Sequence, residues 1–416
     1  MEQPVFTTVT VNGYYTLLIA CIVLLFGRQL VKRIRFLRDF NIPEPVAGGL
    51  VAAAIIYLLY GFGSYIFKFD TGLKNAFMLI FFTSIGLSAD FSRLKAGGKP
   101  LVYFTIIVGV FIIVQDAVGV LLAIKLGQEP LIGLVAGSIT MTGGHGTAGG
   151  WGPELEKLGL AGATGLGLAC ATYGLVVGGL IGGPTARRLI NKMGRKPEEV
   201  ADRVTSDDLD KPDDIFERPQ RMRLITASSA VDTLAMFAVC LVVSEIMNYV
   251  DARYLKDILA ILDLPQFVWG LACGVILRNI LTGAFKFDMF DRAIDVFGNA
   301  SLSIFLAIAL LDLKLWELTA LALPVTVILL TQTVVMFLYA TYVTYAFMGR
   351  DYDAAVLAAG HCGFGLGATP TAVANMQSVT EHFGPSHKAF LIVPMVGAFF
   401  VDLINSTVLQ TFVKYL

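Results

Sequence analysis

Long apolar segments without charged residues dominate this 416-residue sequence. A helix needs about 20 apolar residues to cross the hydrocarbon core of a membrane, and a charged side chain there is costly. Four segments contain no Asp, Glu, Lys or Arg: Tyr14 to Gly27, Val46 to Phe67, Leu158 to Ala186 and Leu318 to Met348. Six less uniform segments bring the prediction to ten spans: Asn75 to Ala89, Leu101 to Ile124, Leu224 to Val250, Leu264 to Leu277, Val296 to Leu311 and Ala389 to Val413. The sequence therefore predicts an all-α polytopic membrane protein.

The overall composition excludes two other classes of protein. Only 15% of the residues are charged and 56% are apolar, whereas about a quarter of the residues in a soluble domain are charged. So much apolar surface must be buried, which argues against a disordered chain. The formal net charge of −1 gives no electrostatic reason to expect a nucleic-acid partner. The lipid bilayer is the expected environment.

Two further uncharged stretches are interrupted by glycine and proline. Residues 130–152 contain the run Thr142 to Gly150, and residues 354–380 contain the run Gly360 to Pro370. Glycine and proline at this density oppose a regular helix, and non-helical backbone at membrane depth must be surrounded by protein or line a cavity. We therefore predict that both stretches are re-entrant segments, which enter the membrane and return on the same side.

Basic residues are distributed unevenly around this arrangement. With ten spans and two re-entrant segments, 23 of the 31 Lys and Arg residues fall on one side. The positive-inside rule makes that side cytoplasmic, so both termini are expected on the non-cytoplasmic side. Arg278 and Arg350 then fall at the cytoplasmic ends of spans and are expected to be solvated. No cationic partner for a second substrate carboxylate is evident in the sequence.

The two halves of the chain share a pattern that predicts an internal repeat. Ile42-Pro43 matches Leu264-Pro265, a separation of 222 residues, and Gly143 matches Gly367 at a separation of 224. We predict a first repeat at 1–190, a cytoplasmic linker at 191–223 and a second repeat at 224–416. Five spans per half is an odd number, so the repeats must have inverted topology, and the broken segments should meet near the midplane, where such transporters bind substrate and ions.

The broken segments supply the candidate binding residues. Exposed N–H groups at broken helix starts attract carboxylates, glycines allow close approach, and threonines add hydroxyls. The substrate-binding candidates are Thr142, Gly143, Gly144, His145, Gly146, Thr147, Gly363, Phe364, Gly365, Gly367, Thr369 and Thr371. His145 and His361 also fit a purely structural hydrogen-bonding role. The small residues from Gly174 to Gly182 are expected to pack helices closely, within one protomer or between two.

Oxygen-bearing side chains elsewhere in the spans fit a Na⁺ site, because Na⁺ is a hard cation that prefers carboxylate, hydroxyl and carbonyl oxygens. The candidates are Asp402, Asn405, Asn375, Asp116 and Gln115. Intramembrane acids are functional by default, although Asp116 and Asp402 could also tie helices together. Gln115 recurs as Gln332 in the other half, which fits packing symmetry equally well.

Three motifs carry a resemblance to a known family. They are Met141 to Ala148 (MTGGHGTA), Gly360 to Met376 (GHCGFGLGATPTAVANM) and Val393 to Asp402 (VPMVGAFFVD). Through them the chain resembles the bacterial sodium:glutamate symporter family over nearly its whole length. The resemblance implies a carrier in the bacterial inner (plasma) membrane that couples Na⁺ entry to the uptake of L-glutamate. It also implies a homodimer in which a transport domain moves against a scaffold.

The sequence features also allow other functions. A proton- or Na⁺-coupled carrier of another carboxylate, such as a hydroxy acid, would fit the same features. The sequence contains no His-Glu-x-x-His, Gly-x-Ser-x-Gly or Gly-x-x-x-x-Gly-Lys motif, so neither a membrane enzyme nor an ATP-driven pump is predicted. A channel would differ from a carrier in conducting without saturation.

Overall fold

The described part of the chain is mostly helical. The computed structural model describes residues 7–39, 42–193, 225–250, 253, 264–287, 289–313 and 321–416. In the first half the elements are β1 (Thr7–Thr10), α1 (Gly13–Arg33), α2 (Arg35–Asp39), α3 (Glu44–Gly63), β2 (Tyr65–Lys68), α4 (Thr71–Ser88), α5 (Phe91–Lys125), α6 (Pro130–Leu134), α7 (Gly144–Lys157) and α8 (Ala163–Lys192). The predicted linker at 191–223 lies, from residue 194 onward, outside the described residues.

The described elements of the second half are helices. They are α9 (Ala227–Val250), α10 (Gln266–Gly283), α11 (Asp291–Leu311), α12 (Ala322–Tyr339), α13 (Tyr345–Phe347), α14 (Tyr352–Leu366), α15 (Thr369–Phe383), α16 (His387–Met395) and α17 (Val401–Tyr415). Three π-helical turns lie at Val135–Ile139, Ala340–Thr344 and Val396–Phe400.

The described residues include eight helices that are long and apolar enough to cross a membrane, and the protein is a multi-pass membrane protein. The eight are α1, α3, α5, α8, α9, α10, α11 and the α12–α13 segment. The other two predicted spans are also helical. The first is α4, whose opening turns contain Lys74 and Asn75, and the second is the α16–α17 segment, which the π-helical turn at Val396–Phe400 interrupts.

Short-range hydrogen bonds determine where several helices begin. The side chain of Asn12 accepts a hydrogen bond from Tyr15 N at the start of α1. Asp70 accepts one from Leu73 N at the start of α4, and Asp351 caps α14 in the same way. These side chains satisfy N–H groups that a helix start leaves without partners. The strands β1 and β2 pair in parallel, with Thr7 opposite Tyr65.

The helices form two groups. The first, here called the α11 bundle, consists of α1, α3, α4, α9, α10 and α11, which pack mainly against one another. The second, here called the hairpin bundle, consists of α5, α8, α12 and α16–α17 together with the two glycine-rich segments. In the described part of the chain, the main contacts between the groups are those of α11 with α7 and α8 and of α4 with the π-helical turn at Val396–Phe400. Side chains also join the groups, because Trp151 of α7 packs edge-on against Phe267 of α10 and Gly150 lies against Phe82 of α4.

The second glycine-rich segment is less broken than we predicted. In the first, Gly137 and Gly144 depart from helical backbone angles and residues 140–143 separate the π-helical turn at Val135–Ile139 from α7, whereas the residues after Gly144 are helical as far as Lys157. In the second, α14 continues without interruption to Leu366 and only Gly367 and Ala368 lie outside the helices. Glycine lowers helix stability by about 1 kcal/mol relative to alanine. Close packing offsets this, since a Cβ on Gly363 would lie 2.4 Å from the backbone of Ala372.

The second segment is a helical hairpin. Gly363 of α14 lies against Ala372 of α15, and Gly360, one turn earlier in α14, lies against Met376, one turn later in α15. At the base, the Tyr352 hydroxyl donates a hydrogen bond to the Gly384 carbonyl. The two arms are therefore antiparallel, and both ends of the segment lie together.

Candidate functional site

The tips of the two segments meet in the middle of the hairpin bundle. Gly144, at the start of α7, has a φ of +66°, and a Cβ there would lie 3.1 Å from the carbonyl oxygen of Gly367 in the other tip. A side chain at Gly144 would therefore be strained as well as crowded. The predicted meeting of Gly143–Gly146 with Gly367 is present in the structure, and it brings the start of α7 beside the tip from which α15 begins.

A cavity of about 610 Å³ lies beside the tips, between the two bundles. Its lining from the hairpin bundle includes Thr142 to Thr147, Phe364, Gly367 to Thr371 and Asp402. The α11 bundle contributes residues from the start of α3, from α4 and from α11. Residues 142–147, 364, 367, 369 and 371 were all predicted as substrate-binding residues.

A chain of hydrogen bonds connects the tips to α5 and α12. The Thr142 hydroxyl lies 2.7 Å from Gln115 Oε1 and 3.2 Å from the Gly365 carbonyl oxygen, and Gln115 Nε2 donates to the same carbonyl at 3.0 Å. Gln332 Nε2 then donates to the Gln115 backbone oxygen at 2.7 Å. Gln115, predicted as a Na⁺ ligand, therefore has its side-chain oxygen and nitrogen engaged with the two tips. Gln332, its counterpart in the second half, fixes the Gln115 backbone through the hydrogen bond to its carbonyl oxygen.

A second cluster joins α5 and α17 to the first segment. Asp116 is completely buried, and its two carboxylate oxygens contact Ser138 N at 2.8 Å and Ser138 Oγ at 2.9 Å. Ser138 Oγ also lies 2.6 Å from Asn405 Oδ1, while Asn405 Nδ2 donates to the Ser138 carbonyl at 3.1 Å. Two of the predicted Na⁺ ligands are therefore held together by Ser138, a residue that the sequence analysis did not select.

Asp402 lies in the cavity, one helical turn from Asn405 on α17. The Thr147 hydroxyl donates a hydrogen bond to Asp402 Oδ1 at 3.3 Å. This contact joins a predicted Na⁺ ligand to a predicted substrate ligand. The Asp402 carboxylate and the Thr147 hydroxyl are oxygens of the kind that a hard cation prefers.

Other candidates serve mainly in packing or stand apart from the tips. Gly143 packs on Thr147 and Gly146 packs on Phe81. His145 Nε2 lies 3.0 Å from Thr172 Oγ1. Asn375 lies near the other side of the hairpin, where its Nδ2 donates to Gly178 O at 2.9 Å and Ala359 O at 3.3 Å. The structure therefore places Asn375 away from Asp116 and Asp402.

The remaining candidates surround the second tip. The Phe364 ring stacks on His361, whose Nδ1 lies 2.8 Å from Thr344 Oγ1. Thr369 begins α15 beside Gly397. Thr371 is only 2% exposed, and its hydroxyl has no hydrogen-bond partner among the residues that the structure describes. Because buried hydroxyls normally have partners, Thr371 is the candidate whose geometry most directly suggests a bound group.

Arg278 is not solvated as the sequence analysis expected. Its side chain is 4% exposed and pairs with Asp90 at 3.2 Å and with Asp291. A buried guanidinium needs such partners because its desolvation is costly. The two acids come from the α4–α5 connection and from the start of α11, so their contact with α10 was not visible in the sequence.

The site also contains polar residues that the sequence analysis missed. Asp295, Asn299 and Ser303 of α11 line the cavity, as does Ser88 of α4. Asp295 lies one residue before the predicted span Val296 to Leu311, so it was assigned to a connection. A spacing of four residues, which places 295, 299 and 303 on one helix face, was the signal that could have identified them.

The arrangement suits binding of an anion together with a cation. Helix α7 begins at Gly144 and α15 begins at Thr369, and both starts face the cavity. The positive ends of the two helix dipoles favour a carboxylate there. The Asp402 and Asp116 carboxylates lie on the adjacent helices α17 and α5. A small carboxylate and a metal cation could therefore bind close together.

Comparison with known proteins identifies the family of this chain. Residues 9–385 match the family model described as sodium/glutamate symporter. The chain is 52% identical to the sodium/glutamate symporter of Haemophilus influenzae over 96% of its own length and 97% of that relative. It is 49% identical to the one of Escherichia coli, over 95% of this chain and 96% of the relative. A solved sodium proton antiporter from Methanocaldococcus jannaschii is 13% identical, with coverage of 96% and 97% and a TM-score of 0.41. The relatives from Haemophilus influenzae and Escherichia coli are named as symporters, not enzymes, and the chain belongs to the sodium/glutamate symporter family.

Proposed function

We propose that this protein takes up L-glutamate by symport with Na⁺. The names of the relatives support the substrate and the ion. The observation that carries the proposal is the cavity in which two helix starts, at Gly144 and Thr369, face the Asp402 carboxylate. Substrate carboxylate binds at the helix starts. Na⁺ binds at the carboxylates of the hairpin bundle, where it offsets their charge beside an anionic substrate.

The coupling follows from the short distance between the two sites. Thr147 belongs to the first tip and donates to Asp402 Oδ1. A cation that binds Asp402 competes for this contact and reorganises the tip that receives the substrate. Binding of one ligand then changes the affinity for the other, and thermodynamic linkage makes the effect reciprocal.

Alternating access completes the proposal. The two repeats have inverted topology, as the spacing of the sequence motifs predicts, and the hairpin bundle moves against the α11 bundle in an elevator-type motion. The cavity that both bundles line supports such a motion. The protein acts as a homodimer in the bacterial inner membrane with both termini on the non-cytoplasmic side. Na⁺ is the coupling ion and is itself transported.

The test is uptake of labelled L-glutamate into proteoliposomes that contain the purified protein. An inward Na⁺ gradient should drive saturable accumulation, and replacing external Na⁺ with K⁺ should abolish it. Equal uptake in the two conditions would contradict Na⁺ coupling. A dicarboxylic hydroxy acid that is accumulated in preference to glutamate would instead support a carrier for another carboxylate.

A further inference from the structure

The first glycine-rich segment packs on the α11 bundle through one surface of α7, here called the glycine face, which consists of Gly146, Gly149 and Gly150. These positions leave no room for a side chain. A Cβ on Gly146 would lie 2.6 Å from the Phe81 ring of α4, and a Cβ on Gly149 would lie 2.3 Å from the Phe305 ring of α11. The phenylalanine rings therefore occupy the space that side chains on α7 would fill.

Further aromatic rings surround this contact. The ring of Phe82, which lies against Gly150, has its centroid 4.4 Å from that of Phe267 in α10. The Trp151 ring of α7 packs edge-on against Phe267 at 6.0 Å. Phe82, Phe267 and Trp151 are each only 1% exposed. Tilted and edge-on contacts are favourable between aromatic rings, and rings packed this closely leave no passage for an ion or a carboxylate.

The cavity runs along α11 away from this contact. Its lining on α11 begins at Leu306, next to Phe305, and ends at Asp295, about three helical turns closer to the start of the helix. Ser88, the last residue of α4, also lines the cavity and has its Oγ 3.5 Å from Asp295 Oδ1. The cavity therefore approaches the end of the α11 bundle at which Arg278 is buried.

The second hairpin has no matching contact with the α11 bundle in the described part of the chain. Its arms, α14 and α15, pack mainly against each other and against α8, whereas α7 packs on α11. Two segments that belong to inverted repeats are expected to exchange such roles when a transporter changes the side to which it is open. The difference between the segments therefore indicates which state the structure describes.

We infer that the glycine face of α7 is the closed gate of the cavity. In this state it seals the cavity toward the non-cytoplasmic side, and the cavity is open toward the cytoplasm. The orientation follows from Arg278, which the positive-inside rule places at the cytoplasmic end of its span. This inference rests on the topology and the alternating access of the proposed function. It goes beyond them because it names the two surfaces that must separate when the cavity opens to the other side.

Glycine suits such a gate. A helix surface without side chains lets the rings of Phe81 and Phe305 seat closely, and it lets them withdraw without any rearrangement of side chains on α7. Permanent packing of small residues would also bring helices close together, but it would keep α7 and α11 in contact throughout transport. The two roles differ in what happens to the contact when the cavity changes sides, and this difference can be measured.

The experiment measures from which side of the membrane the cavity can be reached. The five native cysteines are replaced, and Ser303→Cys, on the cavity lining, serves as the reporter. A charged, membrane-impermeant thiol reagent is applied to right-side-out and inside-out membrane vesicles without Na⁺ or glutamate. We expect labelling from the cytoplasmic side to be at least about tenfold faster, the factor that corresponds to 1.4 kcal/mol.

Variants of the gate should change this ratio. In Gly149→Ala the new methyl group meets Cζ and Cε1 of Phe305, so the sealed state weakens and the labelling ratio should fall severalfold. Adding Phe305→Leu removes those two ring atoms and should restore most of the ratio. Phe305→Ala alone removes the ring without adding a group, and it should also lower the ratio. The matched control is Gly61→Ala of α3, where a Cβ would meet no atom within 4 Å, and its ratio should stay unchanged.

Three results would overturn the inference. They are equal labelling from both sides, faster labelling from the non-cytoplasmic side, and a ratio that neither Gly149→Ala nor Phe305→Ala changes. Phe305→Ala decides the last point if Gly149→Ala does not fold. Labelling requires neither substrate nor ion, so it is independent of the uptake assay. Wild-type protein without Na⁺-driven glutamate uptake would contradict the proposed function even where labelling is one-sided.

Discussion

Single buried side chains hold the centre of this protein together across long distances in the sequence. Ser138 contacts both Asp116 and Asn405, which lie on two other helices. A buried polar group that loses its partner costs about 1–3 kcal/mol, so such contacts determine how the helices fit. Thr371 differs because its buried hydroxyl has no partner within the described part of the chain.

The unpartnered hydroxyl gives the first prediction. Thr371→Val removes the hydroxyl and nearly preserves the shape of the side chain. The melting temperature without substrate should stay the same or rise, because no hydrogen bond is lost. The KM for glutamate should increase severalfold, because we propose that the hydroxyl contacts substrate. Thermal melting and uptake kinetics check the two parts, and an unchanged KM would remove Thr371 from the site.

The second prediction concerns Asp402 on α17. Asp402→Asn removes a charge that we propose binds Na⁺, so the Na⁺ concentration for half-maximal uptake should rise at least about tenfold, the factor that corresponds to 1.4 kcal/mol. Titration of external Na⁺ at fixed glutamate measures this shift. Asp232→Asn, an exposed acid outside the cavity, is the control and should behave as wild type. A normal Na⁺ titration of Asp402→Asn would exclude this carboxylate as a ligand.

Residue types selected several side chains that the structure brings together, but not their contacts. Gln115 and Asp116 were selected as polar groups on a span and Thr142 as a hydroxyl of a broken segment. Gln115 and Thr142 contact each other beside the tips, and Asp116 contacts Ser138. Asn375 was selected on the same grounds and lies elsewhere, because only the packing of α15 on α8 determines which way its amide faces. Ser138 was missed because a single serine in an apolar stretch carries no signal of its own.

Close helix packing sets the positions of the larger elements. A Cβ on Gly174 of α8 would lie 2.0 Å from the Leu366 carbonyl oxygen of α14. A Cβ on Gly178 would lie 3.2 Å from the carbonyl oxygens of Cys362 and Gly363 in the same helix. The predicted small-residue packing therefore occurs within one chain, between α8 and the second hairpin. At Gly183, on another face of α8, a Cβ would meet no atom within 4 Å.

The third prediction uses this contrast within one helix. Gly174→Ala introduces a methyl group where no space exists, which typically costs about 1–3 kcal/mol, so the melting temperature should fall and the tip carried by α14 should shift. Gly183→Ala adds the same group in open space and should preserve or slightly raise stability, because alanine favours helix. Thermal melting and uptake of the two variants test this. Equal behaviour would mean that α8 and α14 do not pack as the structure shows.

The whole molecule consists of two bundles with a cavity between them. The contacts that join the bundles include Gly149 of α7 with Phe305 of α11. Contacts within the hairpin bundle include the Tyr173 hydroxyl with Thr333 Oγ1 at 3.0 Å. If transport moves one bundle against the other, the first kind of contact must break during the cycle while the second persists.

The fourth prediction tests this difference by cross-linking. In a background whose five cysteines are replaced, the pair Gly149→Cys and Phe305→Cys should stop uptake when oxidised or bridged by a short thiol reagent, and reduction should restore it. The pair Tyr173→Cys and Thr333→Cys, bridged in the same way, should leave uptake largely intact. Continued transport with the first pair fully bridged would contradict relative motion of the bundles.

The sequence by itself determined the environment, the family and the approximate positions of the spans. Apolar length and absence of charge are local properties, and the motifs from Met141 to Ala148 and from Gly360 to Met376 are contiguous, so no folding information is needed to read them. The two glycine-rich stretches were also located, although their helices extend further than local propensity suggested, because tertiary packing outweighs the cost of glycine in a helix.

Only the tertiary structure decided which residues share a site. Asp295 was placed outside a span by its sequence neighbours, yet the packing of α11 against α4 and α7 puts it in the cavity. Arg278 was expected in solvent and is buried between two acids. These outcomes depend on contacts between residues many positions apart. Such contacts are set by how whole helices pack, a property that no single segment of the sequence contains.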